Sequence, residues 1–194
     1  LLRNTNLWSD RSLASIAIGQ EIGVTAIQTI SAASVIANNG YLVTPYVIEK
    51  IAPAPVESSV VVPIGRKTIS SETAMQMTEI LERVVTMGTG RLAAIPGFRV
   101  AGKTGTAQKM DPLTGLYSKK DYVASFVGFV PANKPVLTIL VMIDAPSGER
   151  TGGEIAAPVF SAIGREVLHY LRIRPDESVG ARSRWRGCAS SLVP

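Results

Sequence analysis

The densest chemical functionality lies in one short run, Lys103-Thr104-Gly105-Thr106, where an ammonium group and two hydroxyls fall within four positions. In an extended chain, side chains alternate between faces, so Thr104 and Thr106 share one face and Lys103 takes the other. Two hydroxyls on one face can both donate to a carboxylate, in charge-assisted bonds worth about 1.5–3 kcal/mol each. Gly105 between them lets a substrate backbone approach closely. The Lys103 ammonium adds electrostatic attraction and favours the deprotonated state of a neighbouring nucleophile system.

The same lysine completes a competing pattern. Gly97-Phe-Arg-Val-Ala-Gly-Lys-Thr104 fits the phosphate-loop spacing G-x-x-x-x-G-K-[ST], and the apolar run Leu137-Thr-Ile-Leu-Val-Met-Ile-Asp144 ends in aspartate, as the second strand of a nucleotide-binding fold would. A phosphate loop, however, needs backbone N–H groups curled around the anion and a helix starting at the Lys-Thr pair. Phe98-Arg99-Val100 is strand-like instead, and Asp111-Pro112 and Gly115 follow too soon for a helix. A P-loop NTPase is therefore disfavoured, and Asp144 is expected to be a strand-end residue bonding within a turn.

An edge of this kind must be carried by a sheet. Strands are expected over 99–107, 122–130 and 136–144, the last two joined only by Pro-Ala-Asn-Lys-Pro135. So short a connection permits an antiparallel hairpin and excludes a parallel crossover, which needs about a dozen residues or more. Upstream, Val24–Asn38 is apolar or small on nearly all sides and opens on a Thr25/Gln28 capping box, which predicts a buried helix ended by Asn38-Asn39-Gly40. Tyr41 to Ile51, interrupted by Pro45, reads as short extended segments, and Pro53, Pro55 and Pro63 keep the next stretch extended. Ser70 can cap a helix through Thr86, with Ala74, Met77, Thr78, Leu81, Val84 and Val85 inward, its methionines as core filler and Gly88 as the stop. A terminal helix follows Pro158, with Val159, Ile163, Val167, Tyr170 and Leu171 as its apolar face.

Composition narrows the chemistry further. The 194 residues and their 46% apolar content suit one compact domain and exclude wholesale disorder. Cys188 is the only cysteine, so no internal disulfide or cysteine metal cluster can form, and no cofactor is expected. His169, the only histidine, falls within the terminal helix pattern and is read as a surface or partly buried residue rather than a triad member. Much of the +5 net charge comes from Arg172, Arg174, Arg182, Arg184 and Arg186. This segment, 172–194, is read as a solvated basic tail with no assigned structure, and no nucleic-acid partner is expected. The sequence starts without Met or a targeting signal and reads as part of a longer chain. Its longest strongly apolar run, 136–143, is too short for a membrane helix of about 20 residues.

Beyond the KTGT run, four stretches resemble, in order and spacing, the C-terminal half of the transpeptidase domain of class B penicillin-binding proteins. They are SIAIGQEIGVTAIQTISAASVIANNG, VVTMGTGRLAAIPGFRVAGKTGTAQK, YVASFVGFVPANKPVLTILVMIDAP and GGEIAAPVFSAIGREVLHYL, covering about Ile16 to Leu171. The resemblance implies an α+β fold, an antiparallel sheet flanked by helices with the active site along one edge strand. It further implies serine acyl transfer on peptidoglycan stem peptides ending in D-Ala-D-Ala, acylation by β-lactams, divisome or elongation partners, and residence on the extracytoplasmic face of the bacterial membrane through an upstream anchor. By the same resemblance, Lys103 supports the active-site charge network and Thr104 and Thr106 hold the carboxylate. The Thr106 backbone N–H serves the oxyanion hole, Gly105 lies between them, and Gln108 is at most a peripheral contact.

Two motifs of that family are missing from these residues. No serine has lysine three positions later, since Ser12, Ser15, Ser31, Ser34 and Ser118 have Ser, Ile, Ser, Ala and Asp there, and no Ser-x-Asn occurs. In the family both motifs lie upstream, so this chain is expected to carry the edge strand without its nucleophile, to be inactive alone, and to leave one sheet edge unpaired. The alternatives are a D,D-carboxypeptidase, a β-lactamase-like sensor, or a noncatalytic remnant that binds divisome partners.

Overall fold

The computed structural model describes residues 2–47, 65–111, 114–148 and 151–176. Expectations for Pro53, Pro55, Pro63, Cys188 and the tail beyond 176 lie outside the described residues. Of four α-helices, α1 (Ser12–Ala17), α2 (Ala26–Ala37), α3 (Ser71–Thr86) and α4 (Ala157–Tyr170), the last three pack against a sheet. Two short strands, β1 (Tyr41–Leu42) and β2 (Arg66–Lys67), pair antiparallel beside it, and β3 (Ala101–Met110), β4 (Tyr117–Val130) and β5 (Leu137–Asp144) form the sheet proper.

The sheet is an antiparallel meander in the order β3-β4-β5, as the short Pro-Ala-Asn-Lys-Pro connection requires. β3 and β4 extend beyond the expected strands into a longer hairpin. Its turn is closed by Asp111 N–H to Leu116 O (2.8 Å) and Gly115 N–H to Asp111 O (2.8 Å), and the register shifts between Gln108 and Met110. No strand pairs with the outer edge of β5 among the described residues.

One face of the sheet builds the main core. Phe126 and Val130 of β4 and Val141 of β5 pack with Ala157, Phe160 and Leu168 of α4, and the Phe126 and Phe160 rings meet edge to face with centroids 4.8 Å apart. On the other face, Ala101, Phe129 and Ala132 pack with Ile36 and Ala37 of α2 and Leu81 of α3. α3 runs along β3 and serves both clusters, sending Leu81 to one and Val85 to the other.

The caps form as expected. Thr25 Oγ1 accepts from Gln28 N–H at 3.2 Å while Gln28 Oε1 accepts from Thr25 N–H at 2.9 Å, and Ser70 Oγ accepts from Thr73 N–H at 3.0 Å. Three packing expectations need correction. α2 is not a buried helix: only Val35 is fully buried, and Ile27 is 61% exposed, because a single face of the helix meets β4, β5 and α3. Met75 of α3 faces solvent rather than filling the core.

The third correction concerns α4, whose buried residues are Ala157, Phe160, Gly164 and Leu168. Val159, Ile163, Tyr170 and Leu171 are exposed. Gly164 interrupts the apolar spacing of this face, between Phe160 and Leu168, because the helix approaches closely there: a Cβ on Gly164 would lie 2.6 Å from Ile95 Cδ1. A period-based reading weighs size and apolarity and overlooks that a close contact selects Gly and Ala. Past α4, Ile173 packs against the main core and Asp176 N–H donates to Gly97 O at 2.7 Å, so the first residues of the basic segment lie on the domain.

Candidate functional site

β3 presents its residues as strand alternation requires. Thr104 and Thr106 stand opposite Phe126 and Ala124, on the face that carries the main core, whereas Lys103 stands opposite Val127 on the α2 face. No helix begins at Lys103-Thr104, which lie inside a ten-residue strand. The glycines that mimic a phosphate loop have other causes. A Cβ on Gly102 would fall 2.5 Å from Phe126 Cζ, and Gly97 adopts φ +82° against Pro175. Asp144, instead of bonding within a turn, pairs with Lys109 Nζ (2.8 Å) across the intervening strand.

Two glycine-bearing turns converge on the hydroxyl face. The first ends α3, where Gly88 N–H donates to Arg83 O (3.0 Å) and Gly90 N–H donates to Val84 O (2.9 Å). A Cβ on Gly90 would sit 3.0 Å from Phe126 Cε2, so this turn lies flat on the sheet. That placement brings the hydroxyl of Thr89 to 2.8 Å from the hydroxyl of Thr104.

The second turn precedes α4. Thr151 caps it by accepting from Glu154 N–H at 3.3 Å and donating to the Glu154 carboxylate. Gly152 N–H then donates to Thr106 Oγ1 at 3.2 Å. The packing here leaves no room for side chains: a Cβ on Gly152 would meet Ser125 O at 2.1 Å, and one on Gly153 would meet Thr89 O at 2.3 Å.

Proton counting shows what this cluster can do. A threonine hydroxyl carries one donor proton and two acceptor lone pairs. Thr106 uses a lone pair toward Gly152, so its proton remains available. The mutual bond of Thr89 and Thr104 consumes one of their two protons and leaves the other. The face therefore offers two hydroxyl donors to one anion, beside a backbone that closes on both sides.

Lys103 does not join this cluster. Its Nζ donates to Thr104 O at 2.8 Å, and its side chain borders an apolar groove of ≈ 350 Å³ formed by Val24, Ile36, Leu81, Val127 and Phe129. Gly105 makes room for Ser125, whose Oγ would lie 2.5 Å from a Cβ there. Gln108, near the register shift, donates to Ser118 O at 3.3 Å and is engaged with its own hairpin. His169 is exposed near the end of α4. Among the described residues no group of three or more His, Cys, Asp or Glu could hold a metal ion, and no helix is long and apolar enough to cross a membrane.

The sequence reading missed Thr89, Gly152 and Gly153. Their signals are the paired glycines in Gly88-Thr89-Gly90 and Thr151-Gly152-Gly153, to which no site role is assigned from spacing.

Comparison with known proteins identifies the family. Residues 3–165 match the family model described as the penicillin binding protein transpeptidase domain. Stage V sporulation protein D of Bacillus subtilis is 39% identical over 188 residues, covering 93% of this chain and 28% of that protein. Peptidoglycan D,D-transpeptidase FtsI of Escherichia coli is 36% identical over 171 residues, covering 87% of this chain and 27% of that protein. A crystal structure of penicillin binding protein 3 from Mycobacterium tuberculosis, complexed with aztreonam, superposes with a TM-score of 0.81 at 31% identity, over 90% of this chain and 41% of that one. The chain thus spans less than a third of the length of these two curated relatives. The α+β fold, the antiparallel meander and the match across residues 3–165 lead to one conclusion: this chain belongs to the penicillin-binding protein transpeptidase family.

Proposed function

We propose that β3 is the carboxylate- and oxyanion-binding edge of a peptidoglycan D,D-transpeptidase, completed by a serine nucleophile contributed from outside these 194 residues. The observation that carries the reading is the hydroxyl face of Thr89, Thr104 and Thr106, which keeps two donor protons for one anion. A peptide ending in D-Ala-D-Ala supplies such an anion at its terminal carboxylate. Charge-assisted hydrogen bonds there, about 1.5–3 kcal/mol each, hold the scissile carbonyl beside the strand backbone. The Thr106 backbone N–H then donates to the oxyanion as the serine oxygen attacks the carbonyl carbon. Collapse of the intermediate expels D-alanine, which takes a proton, and the acyl group passes to an amine of a neighbouring stem peptide.

Lys103, on the opposite face, supports the charge of the nucleophile system from the groove beside α2. Gln108 is a peripheral contact. A β-lactam carboxylate engages the same hydroxyls in this reading, and the related penicillin binding protein 3 has been crystallised with ampicillin, which carries such a group. Placement outside the cytoplasmic membrane through an anchor elsewhere in the protein, with cell-wall assembly proteins as partners, belongs to the same reading.

Labelling with a fluorescent penicillin tests it. The isolated chain stays unlabelled, while a chimera in which it replaces the matching stretch of stage V sporulation protein D is labelled. A labelled band on the isolated chain, lost on substitution of one of its own serines, refutes the division of roles.

A further inference from the structure

The turn before α4 carries a charged residue to which the proposed reaction gives no part. Glu154 is exposed and makes no ion pair among the described residues, yet its carboxylate reaches back along the turn and accepts the hydroxyl proton of Thr151. With that proton committed, Thr151 Oγ1 is left as an acceptor, and it takes Glu154 N–H at 3.3 Å. Side chain and backbone of Glu154 thus both close on one hydroxyl.

Such a clasp matters because the two residues inside it are glycines. Gly152 and Gly153 lack the Cβ that narrows backbone choice. They open a π-helical turn, Gly152–Ala156, whose backbone is closed by Ala157 N–H to Gly152 O. Packing demands the glycines, since a Cβ on Gly152 would collide with Ser125 O and one on Gly153 with Thr89 O. Close packing has therefore selected the residues least able to hold a backbone direction by themselves.

One backbone direction in this turn bears on the site. Gly152 N–H donates to Thr106 Oγ1 at 3.2 Å, and Thr106 is exposed. While that bond holds, one lone pair of Thr106 is occupied and its proton is left for an anion on the open side of β3. An amide that swings away frees the hydroxyl to rotate, and its proton is no longer aimed.

We propose that Glu154 is a positioning residue for the substrate carboxylate, acting through Thr151 and the Gly152 amide on the Thr106 hydroxyl. The inference rests on the reading of β3 as a carboxylate-binding edge and adds to it a side chain that touches no substrate.

The test compares acylation by ampicillin with acylation by its methyl ester, which lacks the charged carboxylate, in the chimera with stage V sporulation protein D. A general loosening of the fold slows both reactions, so the ratio of the two second-order rates isolates the carboxylate contact. Glu154→Ala removes the side-chain acceptor, keeps the backbone N–H, and is expected to lower the ratio about 5-fold with little change in melting temperature. Glu154→Gln retains an oxygen for the Thr151 hydroxyl and restores the ratio to within about 2-fold. Thr106→Val lowers the ratio by itself, and adding Glu154→Ala to it lowers the ratio no further, because the two act in series. A ratio unchanged in Glu154→Ala while Thr106→Val lowers it overturns this inference and leaves the carboxylate edge standing. So does failure of Glu154→Gln to restore the ratio, or an equal effect of Glu154→Ala with and without Thr106→Val. A ratio unchanged in Thr106→Val overturns the carboxylate edge and this inference with it.

Discussion

Gly152 donates its backbone N–H to the hydroxyl of Thr106 at 3.2 Å, joining the turn before α4 to the strand that carries the proposed carboxylate site. The approach is possible only without a side chain, because a Cβ on Gly152 would lie 2.1 Å from Ser125 O and 2.5 Å from Gly105 O, both rigid backbone. Gly152→Ala is expected to destabilise the domain by about 2–3 kcal/mol through forced displacement of the turn. Chemical denaturation measures it, and a loss below about 0.5 kcal/mol would mean that the turn stands off the sheet.

Thr89 tests whether its bond orients the Thr104 hydroxyl. Thr89→Val keeps shape but removes the partner of the Thr104 hydroxyl. Loss of one such hydrogen bond, worth about 1 kcal/mol, is expected to slow penicillin acylation of the chimera about 5-fold, and Thr89→Ser restores the rate. A rate unchanged in Thr89→Val would remove the residue from the site.

The two faces of α4 give opposite outcomes. Phe160→Ala removes a fully buried ring in edge contact with Phe126 and is expected to cost about 3–5 kcal/mol. Ile163→Ser, on the exposed side, is expected to change stability by no more than about 0.5 kcal/mol in the isolated chain. Thermal unfolding of the pair decides between the observed burial and the one suggested by helical spacing.

The Thr25 cap is a local test. Thr25→Ala removes the hydroxyl that receives Gln28 N–H and is expected to cost about 1 kcal/mol. Helix signal lost together with global unfolding, at a lowered midpoint, is the expected readout. An unchanged midpoint would make α2 a passenger.

Much of this architecture was legible where local chemistry decides it. Thr25 and Ser70 announced two helices because an N-cap needs only neighbours a few residues away. The Pro131-Ala-Asn-Lys-Pro135 turn announced the antiparallel pairing because five residues cannot cross a sheet. The Lys103/Thr104 alternation followed from strand geometry alone. What stayed hidden depends on residues distant in sequence. The Thr89–Thr104 contact spans 15 positions and the Gly152–Thr106 contact 46, and neither has a periodic signal. The buried face of α4 was misread because Gly164 contributes closeness rather than hydrophobic surface. Asp144 was misassigned because its partner, Lys109, is 35 positions away across a strand.

The central claim, that the hydroxyl face of β3 holds the carboxylate during serine acylation, is tested most directly by the second-order rate of penicillin acylation in the chimera with stage V sporulation protein D. Thr104→Val and Thr106→Val each delete one donor and keep side-chain volume. Each is predicted to lower the rate about 10- to 100-fold, the equivalent of one charge-assisted hydrogen bond, with melting temperature little changed. Rates equal to that of the unsubstituted chimera in both variants would contradict the account.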